Sequence, residues 1–267
     1  MSQVIQNMES TRNFLKNTFK DNLLQFVLLF AAVTLGFFAE NLREENAQRK
    51  LEIKLMHSMV ADLARNERLL SDQHASLTAR KIASDSLAYF FNQPDMQQQT
   101  SEIYFYARKL GIYAGEFPLA SRSLDQLKNS GLFTLISKEE VADSLSTYDN
   151  LKTQYEQRIK WYFEDVKKVQ DENKKFFDAH VFEKATIYTE ANRFEMLRPE
   201  GNPPLISSRK EDLQHYYNTF YYLKRNTETQ LRDVDQLIRS TVALRKLINE
   251  AYGFEYWENL LAFYLLY

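Results

Sequence analysis

The chain has 267 residues, with 34 Lys and Arg against 36 Asp and Glu, a formal charge of −2, and no cysteine. That balance excludes a polyelectrolyte partner such as nucleic acid, and the missing cysteines exclude a disulfide scaffold or a thiol nucleophile. Only 6 Gly and 5 Pro are present, too few for the frequent turns of a β-sandwich or barrel, so the composition predicts long, rarely interrupted helices.

Residues 1–22 form an N-terminal segment in which Val4, Met8, Thr11, Leu15 and Phe19 follow three- and four-residue steps. This is either a short helix lying in a membrane interface or the start of the next helix. Leu23 to Ala39 then reads LLQFVLLFAAVTLGFFA, a 17-residue run without a charge. As a helix it covers ~26 Å, short but sufficient for a span, with Lys20 and Arg43 placed to snorkel outward. The run exceeds the ~7–15 apolar residues of a signal peptide, and bulky Phe37 stands two before Ala39 where cleavage wants a small residue. Its phenylalanines fall on several helix faces, which argues against a one-sided core helix. Gln25 and Thr34 are tolerable in a helix that satisfies its own backbone, and Gly36 could seat a neighbouring helix. Three Lys or Arg precede the run closely and four follow it, so either side of the membrane is open to the rest of the chain.

Residues 40–253 read as a helical-bundle body that continues from the anchor without a linker. Leu42, Met56, Leu63, Leu70 and Leu77 share one heptad phase. Asn66 and Gln73 occupy later d positions, which favours a bundle helix over a coiled coil. Asn92-Gln93-Pro94-Asp95 breaks this helix. A shorter helix follows, with Ile103, Tyr106, Ala107 and Leu110 on one side. Next comes Ser121 to Ser130, ended by Gly131. Leu132, Phe133, Leu135 and Ile136 are expected to tuck under the bundle. Ser137 and Glu140 make a capping box for a long helix through Val141, Leu145, Tyr148, Tyr155, Ile159, Tyr162, Val166 and Val169. Phe177 to Ser207 is irregular. Ser208 and Glu211 make a second capping box. The last long helix is expected to use Leu213, Tyr217, Phe220, Leu231, Val234, Ile238, Val242 and Leu247. The tail, 254–267, is apolar and too short to span a bilayer; it could cap the bundle, touch the membrane or fill a partner's groove.

Chemistry-bearing motifs are nearly absent. The four His lack the i,i+4 spacing of a helical metal site, and no HExxH, phosphate loop or GxSxG elbow occurs. No cofactor and no metal is therefore expected. The densest aromatic cluster is Tyr216, Tyr217, Phe220 and Tyr221; with Trp257 and Phe263 in the tail it is a candidate interaction surface.

Gly36-Phe-Phe-Ala-Glu40-Asn41-Leu-Arg43-Glu44, the Asp62-Leu-Ala-Arg-Asn66 step, and Ser123-Leu-Asp-Gln-Leu-Lys-Asn-Ser130-Gly131-Leu together resemble a family of uncharacterised bacterial single-pass membrane proteins, over about residues 23–150. The resemblance implies one N-terminal span followed at once by a charged helix, and brings no activity. Structural roles are expected for Asp62, Asn66, Ser130 and Gly131.

The expected fold is all-α, a single transmembrane helix continuing into an elongated helical bundle. The expected function is non-enzymatic: an accessory or scaffolding subunit in the bacterial inner membrane, contacting lipid and a protein partner or a second copy, with no nucleic acid. The alternatives are a single-pass sensor whose bundle binds a small ligand, and a membrane-tethered enzyme without a recognisable motif.

Overall fold

A computed structural model describes the backbone of residues 2–111, 118–188 and 194–254, and the side chains of these residues from Leu23 onward apart from Tyr188 and Phe194. Among the described residues the chain is all-α apart from one small hairpin. Six helices are present: α1 (Ser2–Phe91), α2 (Thr100–Gly111), α3 (Arg122–Asn129), α4 (Glu139–Phe176), α5 (Ala179–Lys184) and α6 (Lys210–Tyr252). Two three-residue strands, β1 (Thr186–Tyr188) and β2 (Phe194–Met196), pair antiparallel with Ile187 opposite Glu195. Residues 2–22 belong to α1. The chain divides into two compact units, 1–55 and 56–267.

The second unit is built on three long helical seams. On α1 one buried line runs through Met56, Met59, Leu63, Asn66, Leu70, Gln73, Leu77, Arg80, Ser84 and Leu87, with Ala83 buried beside it. Steps of three and four alternate without a break, which is the a/d pattern of a coiled coil. On α4 the same alternation runs from Val141 through Leu145, Tyr148, Lys152 and Tyr155 to Tyr162, Val166, Val169, Asn173 and Phe176, with half-buried Ile159 completing it. On α6 it runs through Tyr216, Phe220, Leu223, Thr227, Gln230, Val234, Leu237, Thr241, Leu244 and Ile248.

Side-chain pairs fix the directions. Asn66 bonds Tyr148 and Arg80 bonds Tyr162, both 82 residues apart, so α1 and α4 run parallel. Along α6 the partner number falls as α1's rises: Glu67 pairs Arg245 at 2.6 Å, His74 lies 3.2 Å from Asp235, and Asp85 pairs Lys224 at 2.6 Å. Arg158 of α4 pairs Asp233 at 2.6 Å. Helix α6 is therefore antiparallel to both.

Several expectations are corrected. Asn66, Gln73 and Arg80 stand on the d line of α1 between Met59 and Leu87 and are buried, so the a/d spacing runs unbroken along a bundle helix. Leu42 is exposed, and the packed part of the stripe starts at Met56. The α6 seam lies one line away from the expected one: of the eight residues expected, only Phe220 and Val234 are buried, and Val242 is 45% exposed. Thr227, Gln230 and Thr241 occupy the true seam, so a search for apolar residues drifts to the neighbouring line. Leu132, Phe133, Leu135 and Ile136 are half-buried, the first three on a 3-10 turn. Both capping boxes shift. Lys138 holds the N-cap position of α4. At α6 the Ser207 hydroxyl donates to Asp212 at 2.5 Å and accepts from Arg209 N–H, while Arg209 grips the same carboxylate at 2.7 and 2.9 Å. The irregular stretch 177–207 contains α5 and the hairpin, elements of six and three residues that carry no full period.

Helix α2 crosses α4 closely. A Cβ on Gly111 would stand 2.7 Å from Asn173 Nδ2, so any larger residue there would displace the Asn173 amide that bonds Ala107 O. Gln170 Nε2 donates to Gly111 O at 2.6 Å, and Asn173 Nδ2 donates to Ala107 O at 3.0 Å.

Leu70→Ala should cost about 2–5 kcal/mol in urea unfolding of the detergent-solubilised chain, because the seam leaves a cavity there. Val242→Ala should stay within about 0.5 kcal/mol, as for an exposed site; equal costs would contradict this seam assignment. Burial pushes the Tyr148 hydroxyl up to about 12 and raises Tyr155 and Tyr216 in the same sense. Unfolded tyrosine ionises near 10, so this stabilisation is complete below about pH 10 and lost as pH rises toward the folded values. The melting temperature should be level up to about pH 10 and fall beyond it, with part of the phenolate absorbance, that of the buried tyrosines, appearing only as helicity is lost.

Candidate functional site

In the first unit every residue from Leu23 to Leu42 is exposed except half-buried Thr34. The most apolar 18-residue window has mean hydropathy 2.0 and none of it is buried. One helix is thus long and apolar enough to cross a membrane. An apolar surface of this size is far beyond the patches that soluble monomers leave in water. Thr34 Oγ1 donates back to Phe30 O at 2.9 Å, which removes its one side-chain donor from the surface. Gln25 lies exposed in the same belt. A Cβ on Gly36 would meet nothing within 4 Å, so the glycine is a notch on an open face and not a contact within the chain. The belt ends at a charged collar, where Arg43 binds the Glu40 carboxylate through two nitrogens at 2.5 and 2.9 Å and holds that carboxyl below its usual range.

In the second unit Asp62 and Asn66, one helical turn apart, form a clamp. Asn66 Nδ2 donates to Ala120 O at 2.8 Å and to the Tyr148 hydroxyl at 2.9 Å, and its Oδ1 accepts from Ala120 N–H at 2.6 Å. One amide side chain thereby satisfies both backbone groups of Ala120 and a buried phenol. Asp62 Oδ2 accepts from Ser123 N–H at 2.9 Å, an otherwise unpaired donor in the first turn of α3. Helix α3 ends at the Ser130-Gly131 step. The Ser130 hydroxyl turns back onto Gln126 O, and Gly131 takes φ 69°, the left-handed conformation that stops a helix. The four residues bind and bound α3.

Tyr216 and Phe220 are fully buried, which corrects their assignment to an interaction surface. Tyr216 donates to Asn173 Oδ1 at 2.7 Å and lies among Phe91, Phe176 and Phe177 at ring distances of 4.9–5.5 Å. They sit on the seam line of α6 and so turn inward. Tyr217 is half-buried against Phe91 and Phe220. Tyr221 is exposed, as are Tyr222 and Trp161. Trp257 and Phe263 lie outside the described residues.

Sequence reasoning missed Arg80 and Asn173. Arg80 Nη1 donates to the Tyr162 hydroxyl at 2.6 Å, with the guanidinium 5.4 Å from the ring centroid. The signal was present: Arg80 stands seven residues beyond Gln73 and fourteen beyond Asn66 on one d row. Between α4 and α6 a groove of about 220 Å³ is lined by Arg158, Trp161, Tyr162, Asn226, Thr229 and Gln230. Among the described residues no three His, Asp or Glu side chains gather where a metal ion could be held. No family model, no curated protein and no solved structure matches this chain, so function must be argued from these sites.

Asn66→Ala should cost about 2–4 kcal/mol in urea unfolding, because it removes three hydrogen bonds, one to buried Tyr148 and two to half-buried Ala120. Asp62→Ala should cost about 1 kcal/mol, the usual worth of a capping carboxylate. A smaller loss at Asn66 than at Asp62 would overturn this ranking of the clamp.

Proposed function

We propose that the chain is a single-pass protein of the bacterial inner membrane, anchored through residues 23–39, and that it serves as a non-enzymatic accessory or scaffolding subunit. One observation carries this reading: the stretch from Leu23 to Phe38 is apolar and uncovered by any described part of the chain. Lipid is the solvent that suits such a surface, since a helix meets its own backbone hydrogen bonds there. The resemblance to single-pass bacterial membrane proteins supports the same reading. The notch at Gly36 supports helix–helix contact within the bilayer, because small residues let backbones approach.

A second reading is a sensor of a small ligand. The groove between α4 and α6, with exposed Trp161 beside Arg158, Asn226 and Gln230, supports it.

The wild-type chain should stay in the membrane pellet through alkaline carbonate extraction. Phe30→Arg places a charge near mid-span at a cost of about 2.5–3.5 kcal/mol and should shift protein out of that pellet. Release of the wild-type chain would overturn the anchor. Isolated in mild detergent, the chain should carry a stoichiometric second protein, and Gly36→Leu should weaken that association while helicity stays unchanged. A lone monomer would overturn the subunit reading and favour the sensor.

A further inference from the structure

The seams of α1 and α4 contain two rows that do not match in kind. On α1, Asn66, Gln73 and Arg80 stand at heptad spacing and all three are buried. On α4, Tyr148, Tyr155 and Tyr162 stand at the same spacing, also buried. Asn66 reaches the Tyr148 hydroxyl and Arg80 reaches that of Tyr162. The constant offset sets Gln73 level with Tyr155, and Gln73 Oε1 has no hydrogen-bond partner.

In its middle the a row of α1 carries little register information, although the same line runs on to buried Met56 and Ser84. Leu63, Leu70 and Leu77 are identical, so a slide of one heptad puts leucine where leucine was. The tyrosine row is equally repetitive. Over these three rungs of α1 only the polar row changes in kind, while on α4 the second seam line, Leu145, Lys152, Ile159 and Val166, holds one charged residue. Slide α1 forward by seven residues and Arg80 comes level with Val169, a buried cation against an aliphatic side chain. Slide it backward and Asn66 comes level with Val141, leaving its amide and Ala120 unpaired. Each slide strands groups that the native register satisfies. Buried polar residues that fix register at some cost in stability are known in coiled coils.

We propose that Asn66, Gln73 and Arg80, read against Tyr148, Tyr155 and Tyr162, form an axial register lock that gives α1 one position out of several that the apolar rows would accept. Gln73 is its weak rung, and Asn66 and Arg80 are its fixing points. The device bears on α1, the helix that also carries the apolar stretch 23–39, and it stands whether or not that stretch enters a membrane.

The absence of cysteine allows a direct test in the full chain. Leu77→Cys is paired in turn with Ile159→Cys, which reports the native register, and with Val166→Cys or Lys152→Cys, which report a slide of one heptad either way. With the native polar row, oxidation should join only 77 to 159. With Asn66→Leu, Gln73→Leu and Arg80→Met together, the slid pairs should form in about a tenth of the molecules or more, a minor-state population within the usual range, while helicity holds and the melting temperature falls. A folded triple variant that joins only 77 to 159 overturns the lock. Should the triple variant lose helicity, Asn66→Leu with Arg80→Met decides the matter, since it removes both fixing points and keeps Gln73: slid pairs support the lock, and the native pair alone overturns it.

Discussion

Burying Asn66, Gln73 and Arg80 takes an amide, a second amide and a guanidinium out of water, and the seam of α1 can close only if they find partners. Two find phenols on α4, at 2.9 and 2.6 Å. Asn66 also ties down both backbone groups of Ala120. This requirement settles much of the second unit. It makes α1 and α4 parallel, because the phenols climb α4 in the order in which their partners climb α1. Parallel neighbours cannot be joined by a short turn, so the chain needs a return path. Helices α2 and α3 supply it, and the Asp62–Asn66 clamp fastens its end. Helix α6 completes the bundle from the opposite direction, with ion pairs to both neighbours.

What could be read in the sequence follows from where polar residues fall. The apolar stretch 23–39 was legible because nothing polar interrupts it. The stripe through Leu63, Leu70 and Leu77 was legible for the same reason, as were the stops at Pro94 and Gly131. The α6 seam was not, because Thr227, Gln230 and Thr241 take seam positions while Leu231, Ile238 and Val242 lie beside them. A period count over apolar residues then settles on the wrong line, even though the period is right. The aromatic cluster misled similarly. Tyr216 and Tyr217 are adjacent, and only the seam phase says that Tyr216 turns to Phe176 and Asn173 while Tyr221 faces water. The hairpin β1–β2 and helix α5 are too short to show any period.

The two units solve opposite solvation problems. From Leu23 to Phe38 the helix spends its apolar side chains on its surroundings and keeps none for packing. From Met56 onward the same helix buries a seam and turns charge outward. Thr34, bonded to its own backbone, and Gly36, bare on an open face, are harmless in the first setting and would contribute little in the second. This contrast underlies the membrane proposal and separates the stretch 23–38 from the rest of the chain more sharply than composition does.

The parallel pairing of α1 with α4 has a consequence for synthesis. Helix α1 is made first, and its seam is completed by α4 and by α6, which comes last. About 160 residues separate the end of α1 from the end of α6, and at ~5–20 residues per second the interval is on the order of ten to thirty seconds. During that time Met56, Leu63, Leu70 and Leu77 have no complete cover, and every contact that finally covers them is distant in sequence. A nascent chain held by its N-terminal apolar stretch would wait out this interval tethered, with its sticky seam kept apart from those of other copies.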